Sequence, residues 1–224
     1  MIEILLPAAF IPLIFLFIWI RNHEKHKRQS WTSIVTIFIW GSTIGAGIAL
    51  ILNTAISNFI TSYFILAVII APIVEETSKA LGLRIIKKHI LELEDGLIYG
   101  AVAGFGFAAT ENLIYGIRFW DKGIIVIISL FYLRTIGSSL LHASSTSFTG
   151  YGYANIIVKK HSILRIIPYI ILAMIIHSVF NLFAISALTI HQILGVVTAV
   201  MFAFLLFLWL RKRIIILDNK TKTS

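Results

Sequence analysis

Seven apolar stretches follow one another along this chain of 224 residues, at roughly 2–20, 31–52, 59–86, 97–117, 124–158, 163–187 and 193–210. A helix needs about 20 apolar residues to cross a hydrocarbon layer about 30 Å thick, and the stretches match that length. Only 13% of the residues are charged, against about 25% in a soluble domain. The expected fold is therefore all-α, a polytopic transmembrane helical bundle of about seven spans. The fifth stretch is too long for one simple crossing. We expect Ile124 to Leu133 to form a separate segment near the interface, an eighth segment, with the span proper beginning near Arg134. No repeat or long linker divides the chain. Residues 1–217 read as one transmembrane domain with a polar core at about 70–185, and 218–224 as a short cytoplasmic tail, with fraying expected from Leu217.

The formal charge of +9 does not mark a nucleic-acid binder, because the cations bracket the apolar runs instead of lining one surface. Connections 21–30, 84–95, 159–165 and 211–224 hold 15 of the 19 Lys and Arg residues, whereas the alternate connections hold only Arg118 and Lys122. The positive-inside rule then sets the N-terminus outside and the C-terminus inside. The first stretch lacks a basic leader and its charges follow it, as in an uncleaved anchor. The five tryptophans fall mostly toward span ends, as an aromatic belt would. Cysteine is absent, which excludes disulfides, thiolate nucleophiles and cysteine-ligated metals.

Within the third stretch stand two adjacent acids, Glu75 and Glu76. An ionisable group at membrane depth costs about 2.5–3.5 kcal/mol on insertion scales, so two together need a reason. Other polar residues share their depth. Glu75 lies 12 residues before Lys87, Glu111 16 after Asp95, His142 17 before Lys159 and His177 12 after Arg165. At 1.5 Å per residue these are depths of about 18, 24, 26 and 18 Å, between the middle and the outer half of the bilayer. Four spans thus bring polar groups to one level. Lys79 is three residues from Glu76 and four from Glu75, so it can face either acid, and His177 and Asn181 share a face at the same i,i+4 spacing. Pro72 is expected to kink the third span and free carbonyls near the acids, and Gly100, Gly104 and Gly106 to let helices approach closely.

Such a set suits peptide hydrolysis. A shielded carboxylate can act as general base and then acid, while His and Asn side chains stabilise an oxyanion. Blander readings stand beside this one. Glu and Lys can form a neutralised structural ion pair, and a lone histidine in a span often serves as a hydrogen bonder between helices. Arg134 reads as interfacial or as a structural partner of an acid, and Ser138, Ser139, Ser144 and Ser145 as packing residues.

The ordered motifs Glu75-Glu76-x-x-Lys79, Asp95-Gly96-x-x-Tyr99-Gly100, Gly106-Phe107-Ala108-x-x-Glu111-Asn112-x-x-Tyr115, an isolated His142 and His177-x-x-x-Asn181 resemble those of the PrsW intramembrane proteases. That family is grouped with CAAX prenyl endopeptidases and bacteriocin-immunity proteins. The resemblance implies an integral, multi-pass protein of a prokaryotic plasma membrane that cleaves a single-span, membrane-anchored protein at a first site, as with an anti-sigma factor. Membrane lipid is its other partner. It also implies that Glu75 and Glu76 activate water, with His142 and His177 positioning water or the oxyanion. Asn181 assists, Glu111 is a catalytic or supporting carboxylate, and Lys79, Asn112 and Arg134 support the site. Where relatives of the CAAX type carry Glu-Glu-x-x-x-Arg, the cation here is Lys79, one residue closer, which argues against prenylated substrates. No His-Glu-x-x-His helix is present. The expectation is a glutamate-dependent mechanism with no cofactor, and zinc on His142, His177 and a carboxylate is the alternative. A proton- or ion-coupled transporter and a catalytically silent scaffold of the same fold are the competing functions.

Overall fold

The computed structural model describes residues 1–189 and 191–221. Seven long helical stretches are found among them. They are α1 (Ile2–Arg21), α2 (Trp31–Ser57), α3 (63–82), α4 (Leu93–Arg118), α5 (Ile124–Val158), α6 (Ile167–Thr189) and α7 (Gln192–Thr221). No strand occurs among the described residues. Six of the seven are long and apolar enough to cross a membrane; α3 has the length but carries Glu75, Glu76 and Lys79.

Two expectations are corrected. Residues 124–133 are no separate segment: α5 is one continuous helix of 35 residues, and a π turn, Thr135–Ser139, follows Arg134. That turn is a bulge within the helix, which continues through it without a break. The C-terminal fraying is also absent as far as Thr221, since Leu217 and Asp218 are buried in α7 and Asp218 accepts from the backbone N–H groups of Lys25 and His26. Residues 222–224 lie outside the described residues.

The centre of the bundle is α4, most of whose surface is covered by other helices. It has no polar stripe because only its last turns, at Ile114, Ile117 and Arg118, are exposed. Gly96, Gly100 and Gly104 recur every four residues, and each stands where an added Cβ would strike α5 backbone, at Gly150, Thr146 and His142 respectively. Small residues in this pattern let two helices touch main chain to main chain, where dispersion rather than hydrophobicity supplies the attraction in lipid. Gly106 turns instead toward α2, against the carbonyl of Phe38. The expected packing role of these glycines is what the structure shows.

The end of the bundle opposite the acids is tied by polar groups. Arg21 donates to the carbonyl of Gln29 and lies 4.1 Å over the Trp31 ring. The Gln29 side-chain amide donates to both Glu24 and Asp95. Asp95 in turn accepts from the N–H groups of Leu91 and Glu92, capping α4. Together with the bonds of Asp218, these contacts join α1, α2, α4 and α7 at this end.

Candidate active site

Two π turns, Leu66–Ile70 in α3 and Thr135–Ser139 in α5, border one cavity, and a third, Gly41–Gly45, lies in α2. Each inserts a residue into the helical repeat and so rotates the side chains that follow, a device common at functional sites. In α3 the turn has a second consequence. Ala71 N–H bonds to the carbonyl of Leu66, five residues back, and the next residue is Pro72, which has no N–H. The carbonyl of Ala67 is thereby left free, and Asn181 on α6 donates to it at 2.8 Å. Pro72 does free a carbonyl beside the acids, as expected.

The two acids have different surroundings. Glu76 is wholly buried, and its carboxylate accepts from Lys79 Nζ at 2.7 Å, Thr146 Oγ1 at 2.9 Å, Ser145 Oγ at 3.0 Å and His177 Nδ1 at 3.0 Å. Glu75 lies on the wall of a cavity of about 590 Å³, and its Oε2 has no hydrogen-bond partner. Lys79 Nζ stands 3.9 Å from that oxygen, His177 Nε2 3.8 Å. Lys79 also donates to His142 Nδ1 at 2.8 Å and rests over the Phe107 ring at 4.4 Å.

On the other wall, Glu111 Oε2 accepts from Arg134 Nη2 and His142 Nε2, both at 2.8 Å. Arg134 is further fixed by Asn112 Oδ1, Ser138 Oγ and the face of Tyr115. Asn112 donates to Ser139. The rings of His142 and His177 meet edge to face, 4.8 Å between centroids.

All nine residues singled out from the sequence therefore belong to one connected region. Glu75, Glu111, Arg134, His142, His177 and Asn181 reach the cavity, whereas Glu76, Lys79 and Asn112 stand behind it. Asn181 is spent on the Ala67 carbonyl, away from His177. Ser145 and Thr146, which bond Glu76, were missed because hydroxyls in a span are usually packing elements. Asn53, whose Oδ1 lies unpartnered on the cavity wall, carried no signal at all.

Does this donor set suit a metal ion? Ligand atoms of Glu75, His142 and His177 lie within 4.8 Å of one another. The unpartnered Glu75 oxygen is available to a ligand, since its lone pair is costly to bury unused. His177 gives its Nδ1 proton to Glu76 and so turns a bare Nε2 toward Glu75, the carboxylate–histidine arrangement that orients metal ligands. His142 is set differently. Lys79 donates to its Nδ1, so Nε2 carries the proton that Glu111 accepts, and ligation would require that proton to pass on. Charge agrees as well: three carboxylates face two cations, Lys79 and Arg134, leaving one negative charge for neutral imidazoles. The residues present fit a divalent ion.

Comparison with known proteins agrees with the geometry. A family model described as PrsW family intramembrane metalloprotease matches residues 29–209. A protein named Protease PrsW, from Clostridioides difficile (strain 630), is 32% identical over 114 residues, which is 48% of this chain and 48% of that relative. The aligned region thus spans about half of the curated relative. No solved structure matches. With six apolar helices of spanning length, the protein is a multi-pass integral membrane protein, and it belongs to the PrsW family of intramembrane metalloproteases.

Proposed function

We propose that this protein is a metal-dependent endopeptidase cleaving a single-span membrane protein within or beside the bilayer, with zinc as the metal. The observation that carries the reading is the unpartnered Glu75 carboxylate, buried on a cavity wall beside two histidines from other helices. The family's description as a metalloprotease weighs against the cofactor-free mechanism anticipated from the missing His-Glu-x-x-His motif.

Glu75, His177 and His142 would hold the ion. When bound, it would lower the pKa of water and polarise the scissile carbonyl. The remaining work falls to the chain. Glu76 holds the His177 ring by its Nδ1–H, and Lys79 neutralises Glu76. Glu111 is the carboxylate placed to move protons: it is partly exposed to the cavity and held by Arg134. As water oxygen bonds to the peptide carbon, Glu111 takes the water's proton. It returns that proton to the nitrogen as the C–N bond breaks. This assigns the base role to Glu111 and leaves Glu76 as a positioning residue.

The topology belongs to the same proposal. With α3 as the seventh crossing, and 15 of 19 cations in connections 21–30, 84–95, 159–165 and 211–224, the N-terminus lies outside and the C-terminus inside a prokaryotic plasma membrane. The cavity then opens toward the extracytoplasmic half, which suits first-site cleavage of an anti-sigma-factor-like substrate. Kinship with CAAX prenyl endopeptidases and bacteriocin-immunity proteins is inferred from the motifs alone.

The test uses protein purified in detergent and a panel of single-span substrates. Wild type should cleave, a chelator should abolish cleavage, and zinc should restore it. Glu75→Gln, Glu111→Gln and His177→Ala should each lose at least 100-fold, as expected for loss of a proton-transfer or metal-holding group (~10²–10⁴-fold). Cleavage indifferent to all three substitutions rejects the site. Ion flux in liposomes without cleavage would favour a transporter.

A further inference from the structure

The cavity has a charged rim that the chemistry does not use. Arg118 ends α4 and lines the same cavity as Glu75 and Glu111. Its side chain is exposed, and among the described residues it makes no ion pair or hydrogen bond. Arg134, the other arginine on this cavity, is the opposite case, held by Glu111, Asn112, Ser138 and the Tyr115 ring. The rim therefore carries one guanidinium that no side chain pairs with among the described residues.

Its position is unusual for this chain. Arg118 and Lys122 are the only cations in the connections that the charge bias places outside. A cation at a helix C-terminus is favoured by the helix dipole, but only within the last turn and weakly at an exposed site. The dipole gives no reason for the side chain to lie over a catalytic cavity. A substrate does: a long guanidinium on the rim, free of partners and beside low-dielectric walls, attracts a carboxylate entering the cavity.

We propose that Arg118 is a specificity-determining residue, selecting substrates with an acidic residue in the extramembrane segment that adjoins their single span. This rests on the peptidase reading and names its substrate class. The acidic side chain would pair with the guanidinium at the rim while the neighbouring peptide bond enters toward Glu75 and Glu111. Peptides with lysine at that position would be repelled.

The experiment uses the full-length protein in detergent and labelled single-span peptides identical except for Asp, Asn or Lys at one position next to the span. Binding is read by fluorescence anisotropy on the Glu75→Gln variant, and kcat/KM on the wild type. We expect the Asp peptide to bind about fivefold more tightly than the Lys peptide, the size of a partly exposed ion pair. The preference should shrink in high salt, persist in Arg118→Lys and reverse in Arg118→Glu. Equal binding of the Asp and Lys peptides overturns the proposal, as does a preference that survives Arg118→Glu. Cleavage without charge preference removes the role of Arg118 and leaves the peptidase intact. Charge-selective binding without cleavage supports the role of Arg118 and removes the peptidase.

Discussion

Glu76 accepts four hydrogen bonds of 3.0 Å or less, whereas its neighbour Glu75 keeps one oxygen unpartnered at the cavity. The two should answer the same substitution in opposite ways. Glu76→Gln removes the charge that balances Lys79 and sets an amide N–H against a donor. Breaking a buried pair in this way costs about 3–5 kcal/mol, so thermal unfolding in detergent should shift down by several degrees, with activity lost in step. Glu75→Gln removes a buried charge whose Oε2 receives no hydrogen bond. Its unfolding midpoint should stay level or rise, while bound metal per chain and cleavage both fall. Equal destabilisation by the two variants would erase this division of labour. The sequence could place both acids by depth but could not separate them. Their difference is made by Ser145 and Thr146, 69 and 70 residues away, whose hydroxyls were indistinguishable from packing residues until α5 lay beside α3.

At the scale of helices, what could be read in advance were the runs of apolar residues and the four-residue glycine spacing of α4. Both are periodic and local. The π turns could not be read, since each is one extra residue in an otherwise helical pattern and its partners lie on neighbouring helices. Thr110 Oγ1, for instance, donates to the carbonyl of Ser42 inside the α2 turn. The same lack of tertiary information made the first ten residues of α5 look detachable. The glycines supply a contrast that tests the packing. A Cβ on Gly104 would strike the carbonyl of His142, whereas a Cβ on Gly47 would meet nothing within 4 Å. Gly104→Ala should therefore destabilise by about 1–3 kcal/mol through overpacking and move His142, cutting activity more than stability alone explains. Gly47→Ala should gain up to about 1 kcal/mol from helix propensity and leave cleavage unchanged. If both are neutral by thermal unfolding and by kcat, the α4–α5 backbone contact is not as close as described.

For the molecule as a whole, a polar closure lies at the end opposite the site, where Glu24, Gln29, Asp95 and Asp218 join the connection after α1 to α4 and α7. Nothing in the sequence paired Asp218 with the N–H groups of Lys25 and His26, more than 190 residues away. Glu24 is fully buried in this closure, and its Oε1 is unpartnered. Burial first, and then the charges of Asp95, Glu94 and Asp218, push its pKa up to about 8 from an ordinary 4.5 against the opposing Gln29 hydrogen bond. Between those values the folded chain retains a proton that the unfolded chain has released. Stability must therefore fall as pH rises through that window, by as much as about 1.4 kcal/mol per unit, and level off above it. Glu24→Gln keeps the shape and an acceptor for Gln29 but cannot ionise. Unfolding midpoints followed by tryptophan fluorescence should decline from pH 5 to 8 in wild type and decline less in Glu24→Gln, with the variant the more stable of the two at pH 8. Parallel pH profiles would mean that the closure holds Glu24 charged at no cost, and that the buried acids at this end are balanced by cations.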